Sequence, residues 1–296
     1  MRASRELSIT RLYLISGVLA ILFLVSCAPA VTQNAMLPVV DDFLNIHDIE
    51  HRKHLRLGVA PGPYGEMFEE VIFPQLEKLG YTFEVHEFSN FVSPNFALAD
   101  GLVDLNIFQH YDFLINFNFE NDLALSAVTK VPTLPMALFS RSFDSLAEIE
   151  HGVTIVMPSD ATNLSRALIK IELAGLIRLS PEANRTRAAV EDIIYNPLEL
   201  NFMFRRADII PLVLPHVDLG VVTGNFIIGN QLDIHEALHI EVLHENYFNV
   251  IVVRTEDLAQ SFVRDIINVI YSDEFKSAIM DERGNFFYFL MPRGFR

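Results

Sequence analysis

The chain has 296 residues, 51% of them hydrophobic, with 22 Lys and Arg against 38 Asp and Glu, for a formal charge of −16 at pH 7. That balance excludes binding to nucleic acid through a general basic field, and adhesion to anionic lipid by charge. The single cysteine excludes an internal disulfide, and the length allows one large core or two modest ones.

Arg2, Arg5 and Arg11 flank the start of an apolar run over 12–25, and Leu24-Val25-Ser26-Cys27 closes it. A basic start, a short apolar stretch and a small residue before the cut make a secretory leader, and the run is too short to span a bilayer comfortably. The segment resembles a bacterial lipoprotein signal peptide, with 1–26 removed and Cys27 becoming the lipidated first residue. The leader carries three Arg and one Glu, so the mature chain is more acidic still. Its membrane tie in the cell envelope must then be the lipid anchor. Residues 27–54, with Pro29 and Pro38, read as a flexible tether reaching roughly 25–30 Å.

From Leu55 the pattern changes. Residues 55–60 alternate as a strand, Pro61-Gly62-Pro63 breaks it, 66–79 have helical spacing, Gly80 stops the helix, and 81–88 alternate again. This βαβ unit favours a parallel sheet. A helix over 95–100, a strand over 103–108, a helix over 110–117 and a strand over 123–131 continue the series. After Pro132 and Pro135 come an extended run over 136–140, a strand over 153–157 and a helix over 163–174 that stops at Gly175. A helix over 209–214 and strands over 219–222 and 248–254 follow, then helices over 259–270 and 273–280. Two βα series with crossing segments near 132–141 and 243–250 predict an α/β fold of two lobes, 55–134 with 248–296 and 135–247. Such chains place ligands in the interlobe cleft and close on them by hinge motion.

Val59-Ala60-Pro61-Gly62-Pro63-Tyr64-Gly65-Glu66 is similar to the first strand and turn of the methionine-binding lipoproteins, which serve methionine ABC importers. Glu87-Phe88-Ser89-Asn90-Phe91-Val92-Ser93-Pro94-Asn95, Ala97-Leu98-Ala99-Asp100-Gly101 and Phe108-Gln109-His110 follow in order. Asn163-Leu164-Ser165-Arg166-Ala167-Leu168, Val221-Val222-Thr223-Gly224-Asn225-Phe226 and Tyr247-Phe248-Asn249-Val250 complete the set. The resemblance implies a two-lobed periplasmic-binding-protein-like fold with a hinge. It implies capture of a small-molecule ligand, methionine or a related amino acid or dipeptide, and delivery to an ABC transporter permease and its ATPase. It carries Arg166, His110, Asn225 and Asn249 as ligand contacts, with the aromatic position at Phe91.

The residue chemistry suits an amino-acid zwitterion, which needs a cation for its carboxylate, acceptors for its ammonium and a pocket for its side chain. The Arg166 guanidinium can hold a carboxylate, and a predicted helix start close by adds partial positive charge. Asn225 and Asn249, at predicted strand ends, offer donors and acceptors, and His110 offers a neutral nitrogen or a donor. Phe91 and Phe108 can flank a thioether, at about 0.3–1.5 kcal/mol per sulfur–aromatic contact. The chain departs from the family pattern at Phe91, where Tyr is usual, at Tyr64, where His is common, and around Arg205-Arg206. L-methionine, D-methionine, a methionyl dipeptide and another apolar amino acid stay open as ligands.

Two other classes bear on this sequence. His47, His51 and His54 crowd the tether, and His235, His239 and His244 form a second group, with His235 and His239 on one face if that segment is helical. No His-Glu-x-x-His or cysteine pair accompanies them, so no metal and no cofactor is expected. Gly-x-Ser-x-Gly, the phosphate loop and the dinucleotide fingerprint are all missing, so no enzyme is expected. A zinc-binding lipoprotein and a surface adhesin are the alternatives to a solute-binding protein.

Overall fold

The computed structural model describes residues 52–295. The predicted leader, the predicted lipidation site Cys27 and all but the end of the tether lie outside the described residues.

Two five-stranded mixed sheets carry the fold. The first runs in the order Thr82–Glu87, His54–Val59, Leu105–His110, Asn249–Arg254, Leu125–Lys130. Its first three strands pair in parallel, as the βαβ pattern requires, and Asn249–Arg254 is antiparallel to both of its neighbours. Leu105–His110 is buried at every residue and Asn249–Arg254 at all but its last, because both faces of the sheet are covered. The second sheet runs His239–Ile240, Ala137–Ser140, Leu219–Val222, Thr154–Pro158, Asn201–Arg205. Each sheet has its own core. Leu57, Met67, Phe68, Ile107, Phe262 and Ile266 pack in one, and Ile155, Met157, Leu168, Ile171 and Leu219 in the other. The protein is therefore built as two α/β lobes.

Local chemistry explains the element boundaries. The first helix begins at Pro63, earlier than its apolar spacing predicts, since a proline at the first helical position lacks only an N–H that would be unpaired anyway. It runs as Pro63–Met67, a π turn Phe68–Ile72, and Phe73–Glu77, with Pro74 removing a donor where the turn ends. The strand expected over 103–108 is Leu105–His110, so His110 ends a strand and caps the next helix instead of opening it. The helix expected from Asn163 starts at Ala161, because the Asp160 carboxylate accepts from Asn163 N. The strand Asn201–Arg205 and the helix Gly224–Gly229 escaped prediction: one is a half-exposed edge strand, and the other is six residues long. His235 lies in a single 3₁₀ turn, Ile234–Glu236, and His239 in a strand, so they share no helical face.

The chain passes between the lobes at 131–136 and again at 241–248, and the two passages are stitched together. Val131 N donates to Asn249 O at 2.8 Å. Thr133 Oγ1 accepts from Asn249 N at 2.8 Å and donates to Val131 O at 2.9 Å. Glu241 N donates to Met136 O at 2.9 Å, and Met136 N donates to the Glu241 carboxylate at 2.9 Å. Backbone bonds in both directions, each 3.0 Å, add Leu290 to Thr133.

The helix Gly224–Gly229 packs its first turn directly on the first passage. A Cβ at Gly224 would lie 2.4 Å from Leu134 O and 2.6 Å from Leu134 Cβ. Gly224→Ala is expected to destabilise the protein by about 1–3 kcal/mol through overpacking. Urea unfolding would show a lower midpoint at an unchanged slope, whereas a wild-type midpoint would mean that the passage yields without cost.

Candidate functional site

A narrow cleft lies where the lobes meet the two passages. The six predicted ligand-contact residues all line it: Phe91, Phe108 and His110 from the first sheet's lobe, Arg166 and Asn225 from the other, and Asn249 at the end of the second passage. Thr133, Asn163 and Thr223 also line it and were not predicted.

Arg166 sits in the second turn of the helix Ala161–Leu173, beyond the first turn where the helix dipole acts most strongly. It is 3% exposed. Its Nε donates to both oxygens of Glu241, at 3.0 and 3.2 Å, and its Nη2 donates to Oε2. Lys170, four residues along the same helix face, reaches Glu241 Oε1 at 3.0 Å. Burial pushes the Glu241 carboxyl up, but the charges of Arg166 and Lys170 outweigh it and hold the group below the usual carboxylate range. Burial likewise pulls Arg166 down, and Glu241 more than restores it. The Tyr247 ring lies 4.7 Å from the guanidinium, and burial pushes its phenol up to about 12. Glu241 was not anticipated as part of this cluster; a lone acid between Ile240 and Val242-Leu243 is the signal that could have found it. Among the described residues, Arg166 Nη1 makes no hydrogen bond.

His110 caps the helix Tyr111–Asn121 by accepting from Phe113 N through Nδ1 at 3.2 Å. That assigns the proton of the neutral ring to Nε2, which faces Asn163 Oδ1 at 3.4 Å. Asn163 is oriented in turn by Asp160, to which its Nδ2 donates at 3.0 Å. Burial, helped by repulsion from Arg166, pulls the His110 imidazole down to about 3, so the ring is neutral throughout the physiological range.

The two predicted asparagines differ. Asn249 commits its Nδ2 to Phe108 O at 3.1 Å, which leaves Oδ1 as an acceptor. Asn225 is half-buried, and its side chain makes no hydrogen bond among the described residues. It stands in the first turn of Gly224–Gly229, not at a strand end, and faces the Pro61-Gly62-Pro63 turn of the other lobe. Gly62 has φ +133°, and a Cβ there would come within 3.1 Å of Asn225 Cβ, so glycine is needed for both backbone shape and close approach. The buried Thr223 Oγ1 also has no partner among the described residues.

The apolar wall is aromatic. Phe91 stacks on Phe108, with centroids 5.9 Å apart, and on Phe226, at 5.6 Å, so one stack runs from lobe to lobe. Phe113 meets Phe108 edge to face at 6.2 Å. The site therefore combines the Arg166 guanidinium, backed by Glu241 and Lys170, with a neutral imidazole, unpaired amide and hydroxyl groups, and a set of rings. Among the described residues no group of three or more His, Cys, Asp or Glu is placed to hold a metal ion.

Residues 55–288 match the sequence model of the NlpA lipoprotein family. The chain is 33% identical over 221 residues to Outer membrane lipoprotein 3 of Mannheimia haemolytica, covering 74% of this chain and 84% of that one. It is 28% identical over 230 residues to the D-methionine-binding lipoprotein MetQ of Salmonella typhi, covering 77% and 84%. A solved nutrient binding protein from Burkholderia cenocepacia, bound to methionine, is similar with a TM-score of 0.73 and 30% identity, over 77% of this chain and 95% of that one. The two-lobed fold is that of the periplasmic substrate-binding proteins.

The neutral His110 makes a prediction about acid stability. Its folded value of about 3 lies below the ordinary 6.5, so the folded state binds fewer protons than the unfolded chain. The contribution is complete above pH 6.5 and is lost as pH falls from 6.5 toward 3, by up to about 1.4 kcal/mol per pH unit. His110→Asn keeps a capping oxygen and removes this titration. Its urea stability is expected to fall less than that of the wild type between pH 7 and pH 5; identical slopes would mean that the proton goes elsewhere.

Proposed function

The chain belongs to the NlpA lipoprotein family, and from that membership we propose that it is a non-catalytic solute-binding lipoprotein of the cell envelope that captures methionine in the interlobe cleft for an ABC importer. One observation carries this reading: the polar groups left unpaired around the cleft are complementary to an amino-acid zwitterion. Arg166 Nη1 and the Thr223 hydroxyl are donors for a carboxylate, beside a cluster with two cations and one anion. Asn249 Oδ1 and the Asn225 amide oxygen are acceptors for an ammonium. His110 is neutral, so it does not repel that ammonium. Phe91, Phe108 and Phe113 supply the surface on which a thioether is polarisable enough to pack.

In this reading the lobes are 55–134 with 248–296, and 135–247, and they close by bending at the stitched passages. Ligand groups held by both lobes favour the closed state by the difference between their affinities for the two states. Lipidation at Cys27 keeps the protein at the membrane, where the permease and its ATPase take the ligand over. The relatives' names support methionine as the ligand class, and either enantiomer or a methionyl dipeptide offers the same charged ends.

Thermal unfolding after partial denaturation and dialysis tests the assignment. L-methionine, D-methionine or a methionyl dipeptide, present at 100 times its dissociation constant, is expected to add about 2.7 kcal/mol of stability. A rise with zinc alone, or with none of the four, would overturn the amino-acid reading. Asn225→Ala tests the site itself. Because that side chain has no protein partner, its removal is expected to leave the melting temperature unchanged and to weaken methionine binding by about tenfold or more. Unchanged affinity by titration calorimetry would remove Asn225 from the site.

A further inference from the structure

Lys170 has no part in the cleft wall, yet it is 6% exposed, in the same helix as Arg166. A lysine that deep needs an anion. Its anion is Glu241, and Glu241 is the carboxylate that Arg166 already holds through Nε and Nη2. The spacing of four residues puts both cations on one helix face, and the Tyr247 ring covers both, 4.7 Å from the guanidinium and 5.5 Å from Nζ. One buried carboxylate is thus divided between two buried cations.

That division has a consequence at Arg166. Were Glu241 its partner alone, the two would form a closed neutral pair. An anion arriving at Nη1 would then find the attraction of the guanidinium partly cancelled by Glu241 behind it. With Lys170 drawing on the same carboxylate, these three groups sum to one positive charge in a water-poor setting, where charges act strongly, and Asp160 and Asp112, which also act on Arg166, are the same with or without Lys170. Resting on the amino-acid reading above, we propose that Lys170 is a specificity-determining residue that acts through Glu241: it leaves Arg166 free to demand a carboxylate on the ligand. Lys170 touches no ligand in this scheme; it sets how much of the Arg166 charge the cleft feels.

The test compares L-methionine with L-methioninamide, which lacks the carboxylate charge. Titration calorimetry at pH 6, below the ordinary α-amino range, keeps the ammonium on both. The ligand-stripped wild type is expected to prefer methionine by about a hundredfold or more. Lys170→Met preserves the apolar stem and leaves Arg166 and Glu241 paired. It is expected to narrow that preference about tenfold, through weaker methionine binding, with the amide changed by less than about threefold. Glu241→Gln removes the competing anion and keeps an oxygen for Arg166, so the preference is expected to widen.

A merely structural role for the cluster would weaken both ligands in step, and an unchanged preference in Lys170→Met would overturn the proposal. Narrowing in Glu241→Gln would do so too, since Glu241 would then serve to aim Arg166. If Glu241→Gln does not fold, Lys170→Met decides alone. A wild type that binds methionine while both variants keep its preference leaves the amino-acid reading standing and removes only this inference. A wild type that binds neither compound overturns both.

Discussion

A carboxylate taken out of water beside two cations costs several kcal/mol in desolvation, and only a complete set of partners offsets it. Glu241 has that set. Arg166 and Lys170 reach it from one helix of the second lobe, and Met136 N reaches it from the first passage between the lobes. Glu241 itself belongs to the second passage. The same group therefore pins the helix that carries the cation, joins the two passages, and fixes how much positive charge remains at the cleft. Removing Glu241 would leave two buried cations without their anion, so the cluster holds the passages and the Arg166 side chain in one arrangement.

Around that fixed point the cleft is assembled from both lobes. The stack of Phe108, Phe91 and Phe226 runs across it, and Gly62 lets the Pro61-Gly62-Pro63 turn approach Asn225 from the other side. These contacts exclude water, which strengthens the few polar interactions left inside. They also explain why charge is rationed there. His110 is held neutral by burial and by Arg166, and it spends its nitrogens on a helix cap and on Asn163. The groups without protein partners are then those that a zwitterion would satisfy.

Much of the architecture is legible in the sequence because it rests on local patterns. The alternation over 55–60 and 81–88, the helical spacing between them and the stop at Gly80 define a βαβ unit before any contact is known. The prolines at 132 and 135 mark the first passage. Ordered motifs brought the six ligand candidates together, and the structure places all six around one cleft. Glu241 stayed hidden because its bond to Arg166 spans 75 residues of sequence, and neither periodicity nor spacing reports such a pairing. Thr223 is marked only by the absence of a partner, which no sequence displays. The strand Asn201–Arg205 was missed because an edge strand with half-exposed residues need not alternate, and the early start of the helix at Ala161 because its cap, Asp160, lies outside the apolar pattern.

The most direct measurement is a crystal structure of the stripped protein soaked with L-methionine. The account predicts the ligand carboxylate within hydrogen-bond distance of Arg166 Nη1, its ammonium at Asn249 Oδ1, and Glu241 still bonded to Arg166 Nε. A carboxylate bound elsewhere, or Glu241 displaced from Arg166 by the ligand, would contradict it.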